Sequence, residues 1–318
     1  MTGGDINFYR TQVTLGYKAL YNSHDEMTHP ETCIHSYWFR PSIPITHLPE
    51  PARIIVDDDT IPLSDVLPCV FLQCEPRIMQ NLVSYVLQHA SSFHTIYTYD
   101  HDLLIRCPNA RFYIAAQTWI ASEYHQSIDV SLKEYKISTL AGSKCINQSA
   151  GHLFRQAIHY RQHELSRFPI TFFRSSVQLP PLPDLGNNPF LVANTSTNSK
   201  ESLFHTFQFA IVIENTTQRN YFSEKLIDCL ITKTIPMYYG GVNIHQFFNI
   251  TGWIILSTTS VEDLSSHLET LHPDYYHSYQ EIIEQNYQKA ITYRDYYQNL
   301  NQSISREEYM DRYGNTYQ

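Results

Sequence analysis

The chain has 318 residues and a formal net charge of −9, with 42% hydrophobic and 17% charged residues. This length suits one large or two medium domains with a substantial core. The negative charge argues against a general nucleic-acid binder and against a binder of anionic membranes, because both need a basic face. It leaves a nucleotide diphosphate open as a ligand, provided that a few cations are placed beside it.

The cysteines show neither a C-x-x-C pair nor a Cys/His zinc spacing, so we expect reduced and partly buried thiols. The six are Cys33, Cys69, Cys74, Cys107, Cys145 and Cys229. No apolar run reaches the length of a membrane span, and no signal peptide opens the chain. These observations predict a soluble, cytoplasmic protein without a transmembrane segment.

Residues 1–50 carry little periodicity, and the first clear element is the short apolar strand Arg53–Val56. The acidic run Asp57, Asp58 and Asp59 follows it directly. A strand that ends in Asp-x-Asp is one way to hold Mn²⁺ and a diphosphate. An acidic turn after a strand is the other interpretation of these residues, and both stay open at this point.

The next strand, 70–72, ends at a second carboxylate, Glu75. A helix over 82–89, a strand over 96–99, a helix from Asp100 through Leu104 and a strand over 112–114 come after it. Strands that alternate with helices predict βαβ units and a mostly parallel sheet. A carboxylate at the end of such a strand is a candidate general base, or alternatively a strand-end cap.

A second domain is expected to begin after a short strand or connector over 133–137. Residues 143–147 are predicted as its first strand, and 151–160 as a helix that carries Arg155. A guanidinium near a helix N-terminus can bind phosphate oxygens through two parallel hydrogen bonds. Residues 174–200 are rich in Pro, Asn and Ser and are predicted to form a loop.

The strongest local pattern lies in 207–257. The compact apolar run 207–213 predicts a buried parallel strand, which the polar residues 214–217 interrupt. A helix over 223–232 follows, with Asn220 or Ser223 as its cap. Pro236 prevents a continuation of the helix, and 237–239 lead into a turn at Gly240. Ligands bind at the carboxyl end of strands in open α/β sheets.

Beyond this stretch we predict a helix over 260–271, one long Tyr-rich helix over 274–299 and a frayed polar tail over 302–318. The predicted domain boundaries are therefore 1–138, 139–300 and a tail of 301–318.

The pattern of 207–257 resembles the donor-site signature of the family 10 glycosyltransferases, the α1,3/α1,4-fucosyltransferases. The matching residues are Phe209, Glu214, Asn215, Tyr221, Phe222, Ser223, Glu224, Lys225, Leu226, Ile235, Pro236, Tyr239 and Gly240. The resemblance implies a GT-B-type α/β fold, in which two Rossmann-like domains face each other across a cleft. It also implies transfer of L-fucose from GDP-fucose onto a glycan hydroxyl with inversion, in an α1,3-type linkage.

The same resemblance implies roles for single residues. Asn215, Tyr221, Glu224 and Lys225 would contact the donor, while Arg155 matches a family arginine at the start of a helix. Glu75 would be the base, although this chain has Cys74-Glu75-Pro76 where the family often has Gly-Glu. No cofactor is obligatory, and a divalent cation would at most stimulate the reaction. Because we expect no membrane anchor, the chain resembles the soluble bacterial or viral members of the family.

Two other functions remain open from the sequence. One is a metal-dependent sugar-nucleotide transferase with another donor that uses Asp57, Asp58 and Asp59. EDTA sensitivity of sugar-nucleotide turnover would separate it from the metal-independent enzyme. The other is a non-catalytic, glycan-binding relic, in which Arg155→Ala and Lys225→Ala would leave every measurable property unchanged.

Overall fold

A computed structural model describes residues 52–59, 68–142, 148–174, 191–192 and 200–314, together with the single positions 49 and 63. The described residues fall into two compact units. Unit 1 holds the residues up to Ala116, the short segment Gln218–Tyr221 and the residues from Asp295 onwards. Unit 2 holds Gln117–Thr217 and Phe222–Arg294.

Unit 1 is built on a five-stranded sheet in the order β1-β2-β3-β4-β11. Its strands are β1 (Arg53–Val56), β2 (Cys69–Leu72), β3 (Phe93–Thr98), β4 (Ala110–Phe112) and β11 (Ile304–Ser305). The first four are parallel, and β11 pairs antiparallel with β4. All four residues of β2 are buried, as expected for a central parallel strand.

Helices of unit 1 follow the strands and cover the sheet. They are α1 (Val83–Gln88), α2 (His101–Arg106), α9 (Tyr296–Asn301) and α10 (Arg306–Tyr309), with 3₁₀ and π turns at Ala90–Ser92 and Met310–Gly314. Asp100 caps α2, since its side chain accepts the backbone N–H groups of Asp102 and Leu103. The apolar core combines β1 and β2 residues such as Val56 and Leu72 with Leu300 of α9.

Unit 2 is built on a six-stranded sheet in the order β10-β9-β8-β5-β6-β7, and every pair in it is parallel. Its strands are β5 (Glu134–Ala141), β6 (Ile170–Arg174), β7 (Leu191–Val192), β8 (Phe207–Ile213), β9 (Ile235–Tyr239) and β10 (Ile254–Ile255). All seven residues of β8 are buried. Pro236 lies near the start of β9, and the pairing of β9 with β10 begins only at Met237, so the missing N–H of Pro236 is not needed there.

Helices of unit 2 pack their apolar sides against this sheet. They are α3 (Ser122–Gln126), α4 (Ala150–Tyr160), α5 (Glu224–Ile231), α6 (Val261–Leu268), α7 (Tyr275–Ser278) and α8 (Gln280–Ile291), with 3₁₀ turns at Val130–Leu132, Lys200–Leu203 and Ile244–Gln246. Six of the eight residues of α5 are fully covered, so this helix lies in the interior rather than on the surface. The packing of α5 therefore determines where Glu224 and Lys225, at its N-terminus, lie.

The predicted α/β class with two Rossmann-like units is confirmed, and three local predictions change. The first strand of unit 2 is β5, at the centre of the sheet, while 143–147 lie outside the described residues. The predicted helix over 274–299 is divided among α7, α8 and α9. The tail predicted as frayed supplies β11 and α10, and Tyr309 of α10 is fully buried. The two compact units separate at 116/117, while the predicted domain boundaries at 138/139 and 300/301 stay predictions.

Candidate functional site

The carboxyl end of β8 places two polar residues at the edge of the unit 2 sheet. The backbone N–H of Glu214 donates to the Tyr239 carbonyl (2.8 Å), which extends the pairing of β8 with β9 by one residue. The Glu214 side chain is completely buried, and Asn215 is 8% exposed. Strand pairing therefore brings these residues to the edge at which α/β proteins bind ligands.

The carboxylate of Glu214 holds the start of α5. Its Oε1 accepts the backbone N–H of Ser223 (2.8 Å), and its Oε2 accepts the Ser223 hydroxyl (2.6 Å). The Ser223 Oγ in turn accepts the backbone N–H of Lys225 (3.3 Å), so Ser223, one of the two predicted caps, is the N-cap. Burial raises the pKa of Glu214, although Lys225 works in the opposite direction.

Lys225 and Glu224 form a charged pair in the first turn of α5. The Lys225 Nζ lies 3.1 Å from Glu224 Oε1 and 3.9 Å from Glu214 Oε2. Burial lowers the pKa of Lys225, but Glu224 and Glu214 raise it by more. Burial raises the pKa of Glu224, whereas Lys225 and Lys200 lower it to about 2. Both groups are therefore ionised at neutral pH, beside a helix N-terminus that favours anions.

Lys200 is a second cation near α5 that the sequence analysis missed. It lies in the 3₁₀ turn before β8, and its Nζ pairs with the fully buried carboxylate of Asp228 and lies 4.2 Å from the centre of the Trp119 ring. Asp228 also accepts hydrogen bonds from the Thr118 hydroxyl (2.7 Å) and from the backbone N–H of Trp119 (2.9 Å). The sequence shows Asp228 inside an apolar helix, which indicates that its carboxylate has a charged or hydrogen-bonding partner. It does not indicate that Lys200 is that partner.

Arg155 of α4 is buried against the end of β8. Its Nη1 donates to the Ile213 carbonyl, and its Nη2 donates to Asn215 Oδ1 (2.9 Å). The Ser149 hydroxyl, which also caps α4, donates to the Asn215 carbonyl (2.8 Å). These contacts give Arg155 a structural role at the predicted site, and its role as a phosphate ligand stays a prediction.

In unit 1, Glu75 lies half-buried in the loop that follows β2. The buried carboxylate of Asp57 accepts the backbone N–H groups of Cys74 (2.9 Å) and Glu75 (2.8 Å) through one oxygen. Burial raises the pKa of Asp57 well above its usual range, with a smaller contribution from Glu75. The first residue of the acidic run is therefore occupied by backbone hydrogen bonds.

The segment Gln218–Tyr221 lies between Asn215 and Ser223 in sequence and belongs to unit 1. Gln218 accepts the Arg77 backbone N–H (3.0 Å) and donates to Asp100 Oδ2 (3.1 Å). Asn220, at φ 62°, donates to the Tyr99 carbonyl (3.0 Å). The Tyr221 ring is buried, 5.6 Å from that of Tyr99.

Four of the six predicted site residues thus share one environment, and two do not. Arg155, Asn215, Glu224 and Lys225 lie together at the edge of the unit 2 sheet, while Glu75 and Tyr221 belong to unit 1.

In the described ranges, no group of three or more His, Cys, Asp or Glu side chains is arranged to hold a metal ion. Among the helices of those ranges, none is long and apolar enough to cross a membrane. Of the cysteines in the described part of the chain, Cys69, Cys74, Cys107 and Cys229 are not joined by disulfide bonds.

The carboxyl edge of this parallel sheet thus carries the ionised Lys225, the buried Glu214 and the N-terminus of α5, and anions bind at such positions in α/β proteins. Residues 176–314 match the family model described as glycosyltransferase family 10 (fucosyltransferase) C-term. The match covers less than half of the chain, so these residues are similar to that family, and the enzyme class is a glycosyltransferase. The resemblance stated from the sequence is confirmed.

Among solved structures, an alpha1,3-fucosyltransferase is similar at TM-score 0.43 and 14% identity, covering 78% of this chain and 78% of that chain. An alpha1,3-fucosyltransferase with GDP-fucose is similar at TM-score 0.36 and 18% identity, and the match covers 83% of this chain and 74% of that chain. Anabaena Alr3699/HepE in complex with UDP-glucose is similar at TM-score 0.47 and 10% identity, and the match covers 74% of this chain and 71% of that chain. The comparison with curated proteins gave no match.

Proposed function

We propose that the protein is an inverting glycosyltransferase that moves L-fucose from GDP-fucose onto a glycan hydroxyl, in an α1,3-type linkage. The observation that carries the proposal is the ionised Lys225, held in the first turn of α5 beside Glu214 and Glu224, inside the segment that matches the fucosyltransferase family model. An ammonium at a helix N-terminus suits a diphosphate leaving group. Unit 2 would bind the donor, and unit 1 would bind the acceptor.

In the proposed reaction the acceptor oxygen attacks the anomeric carbon of fucose from the side opposite to GDP. The bond between that carbon and the diphosphate oxygen breaks, and its electron pair leaves with GDP. Glu75 takes the proton from the acceptor hydroxyl, as a general base does. Lys225, Arg155 and the N-terminus of α5 stabilise the charge that develops on the diphosphate. Asn215, Tyr221 and Glu224 would contact the donor.

This mechanism needs no metal, and a divalent cation would at most stimulate it. The metal-dependent alternative assigns the acidic run to Mn²⁺, but Asp57 already accepts two backbone N–H groups there. Turnover that persists in excess EDTA would support the metal-independent reaction, and its complete loss would favour the alternative. A cytoplasmic location remains a prediction from the sequence.

The first test is a thermal-shift series with GDP, UDP, CDP and dTDP. A ligand at 100 times its Kd stabilises the folded protein by about 2.7 kcal/mol, so we expect a clear rise of Tm with GDP. Lys225→Ala should reduce this rise, since it removes the cation that faces the diphosphate. Lys136→Ala is the matched control, because Lys136 is 44% exposed and pairs with Glu134 on β5.

A shift with UDP and none with GDP would exclude the fucose assignment. Equal shifts for Lys225→Ala and the unchanged protein would remove Lys225 from the donor site. GDP binding without any release of GDP from GDP-fucose would favour the glycan-binding relic over the enzyme.

A further inference from the structure

Asp57 stands at the end of β1, directly beside the end of β2. The backbone pairing of these strands continues beyond both of them, since the Asp57 N–H donates to the Leu72 carbonyl (3.1 Å). Asp57 adopts φ 43°, in the left-handed region that Asp and Asn tolerate better than most residues. The chain therefore turns at Asp57 so that its carboxylate reaches the loop after β2.

The side chain of Asp57 holds two backbone N–H groups of the loop after β2. Asp57 Oδ2 accepts from Cys74 and from Glu75, at 2.9 and 2.8 Å, across 17 and 18 residues of sequence. These two hydrogen bonds tie the loop after β2 to the end of β1. Because Asp57 is only 2% exposed, water cannot readily take its place.

Three tyrosines hold the same loop from its other side. The Tyr113 hydroxyl donates to the Gln73 carbonyl, and the Tyr99 hydroxyl donates to the Cys74 carbonyl (3.3 Å). The Tyr296 hydroxyl lies 2.7 Å from the Cys74 Sγ. Backbone groups of residues 73–75 and the Cys74 side chain are thus held by neighbours in unit 1, and this loop carries the half-buried Glu75 side chain.

We propose that Asp57 is a positioning residue for Glu75, whose backbone it holds by the paired hydrogen bonds to Cys74 and Glu75. This inference rests on the proposed role of Glu75 as the base. It also gives the acidic run a function other than metal binding. A misplacement of a reacting group by 1 Å can cost on the order of 10²-fold in rate, so a hydrogen-bonded anchor at this point matters to turnover.

The test compares Asp57→Ala with Asp57→Asn, and Asp59→Ala serves as the control in the same acidic run because Asp59 is exposed. Asparagine tolerates the left-handed backbone, and its Oδ1 can accept both N–H groups. With GDP-fucose as donor and lactose or water as acceptor, Asp57→Ala should lower kcat at least tenfold and change the KM for GDP-fucose less than twofold. Asp57→Asn should restore kcat to within about threefold of the unchanged protein, since it keeps both hydrogen bonds.

Hydrogen exchange of the backbone amides of Cys74 and Glu75 gives a readout that does not depend on activity. We expect faster exchange in Asp57→Ala, and near-native exchange in Asp57→Asn and Asp59→Ala. Unchanged exchange and unchanged kcat in Asp57→Ala would overturn the inference. An Asp57→Asn variant that loses kcat as fully as Asp57→Ala, with its amides still protected, would overturn it as well, because charge rather than positioning would then be responsible.

The variant Glu75→Gln separates this inference from the proposed function. It should abolish GDP release and leave the GDP-induced rise of Tm intact. If Glu75→Gln retains turnover, Glu75 is not the base and the proposed mechanism fails at that residue. If Glu75→Gln is inactive and Asp57→Ala is as active as the unchanged protein, only the role of Asp57 fails.

Discussion

Gly151, the second residue of α4, lies against the backbone at the end of β8. A Cβ built on it would lie 1.8 Å from the Glu214 carbonyl oxygen, while its own N–H donates to the Asn215 carbonyl (3.4 Å). Glycine is therefore required at position 151 because the backbone of Glu214 leaves no room for a Cβ, and not because of an unusual φ. Arg155 is one helical turn further along the same helix, so any shift of α4 at Gly151 also displaces the guanidinium.

We expect Gly151→Ala to destabilise the protein, although Gly to Ala inside a helix ordinarily stabilises it by about 1 kcal/mol. Overpacking against backbone costs about 1–3 kcal/mol, and the displaced α4 should also weaken GDP binding. Gly314→Ala is the control, because the nearest atom there is the flexible methyl group of Met310. Urea denaturation and the GDP-induced shift of Tm measure both effects, and a Gly151→Ala variant as stable as the Gly314→Ala control would contradict the expectation.

The sequence identified the residues whose partners are close in the chain. Ser223 as a helix cap, and Glu224 and Lys225 in the first turn, follow from local spacing, as does the position of Glu214 at a strand end. Asp57 could not be assigned in this way, because its partners lie 17 and 18 residues away. Arg155 was recognised as important, but its contact with Ile213 and Asn215 depends on the packing of α4 against β8.

At the scale of single elements, α5 depends on the contact between Glu214 and Ser223. We expect Ser223→Ala to cost more than an ordinary cap, which is worth about 1 kcal/mol. It removes the cap and also one hydrogen bond from a buried carboxyl group, which adds about 1–3 kcal/mol. Ser260→Ala is the matched control, since Ser260 caps α6 and its hydroxyl donates to Glu262 at the surface (2.7 Å).

Chemical denaturation of both variants checks this expectation, and Ser223→Thr should recover most of the loss because threonine also caps helices. Equal losses for Ser223→Ala and Ser260→Ala would show that the contact with Glu214 contributes nothing beyond the cap.

β5 is the element that the sequence described least well. It is the strand that β8 and β6 flank, yet it begins with exposed and half-buried residues and hides Ser138 and Thr139 in its middle. Hydroxyl side chains lower the apolar signal on which strand prediction depends. The run 207–213 was predicted to the residue, because a fully buried strand is apolar on both faces.

At the scale of the whole molecule, unit 1 is assembled from three pieces of the chain. Its last piece begins at Asp295 and provides α9, β11 and α10, and Tyr309 of α10 is fully buried among Phe112, His101 and Tyr313. A long amphipathic, Tyr-rich helix followed by a polar tail was predicted for this region. The pairing of β11 with β4 could not be predicted from a local pattern of two residues.

We expect a chain that ends at Gln302 to lose the hydrogen-exchange protection of β4, while the amides of β8 and β9 stay protected. The physical reason is that β11 pairs with β4 and that Tyr309 packs on Phe112. A chain that ends at Gly314 is the control, because it retains both contacts. Full protection of β4 in the shorter chain would show that β4 does not need β11 and α10.

The antiparallel pairing of β11 with β4 also sets the order of events during synthesis on the ribosome. Residues of β4 emerge almost 200 positions before Ile304 and Ser305, so that side of the sheet has an open edge during most of translation. An unpaired strand edge is a template for pairing with other chains. We therefore infer that the nascent chain is most prone to aggregation in this interval, while unit 1 still lacks its last strand.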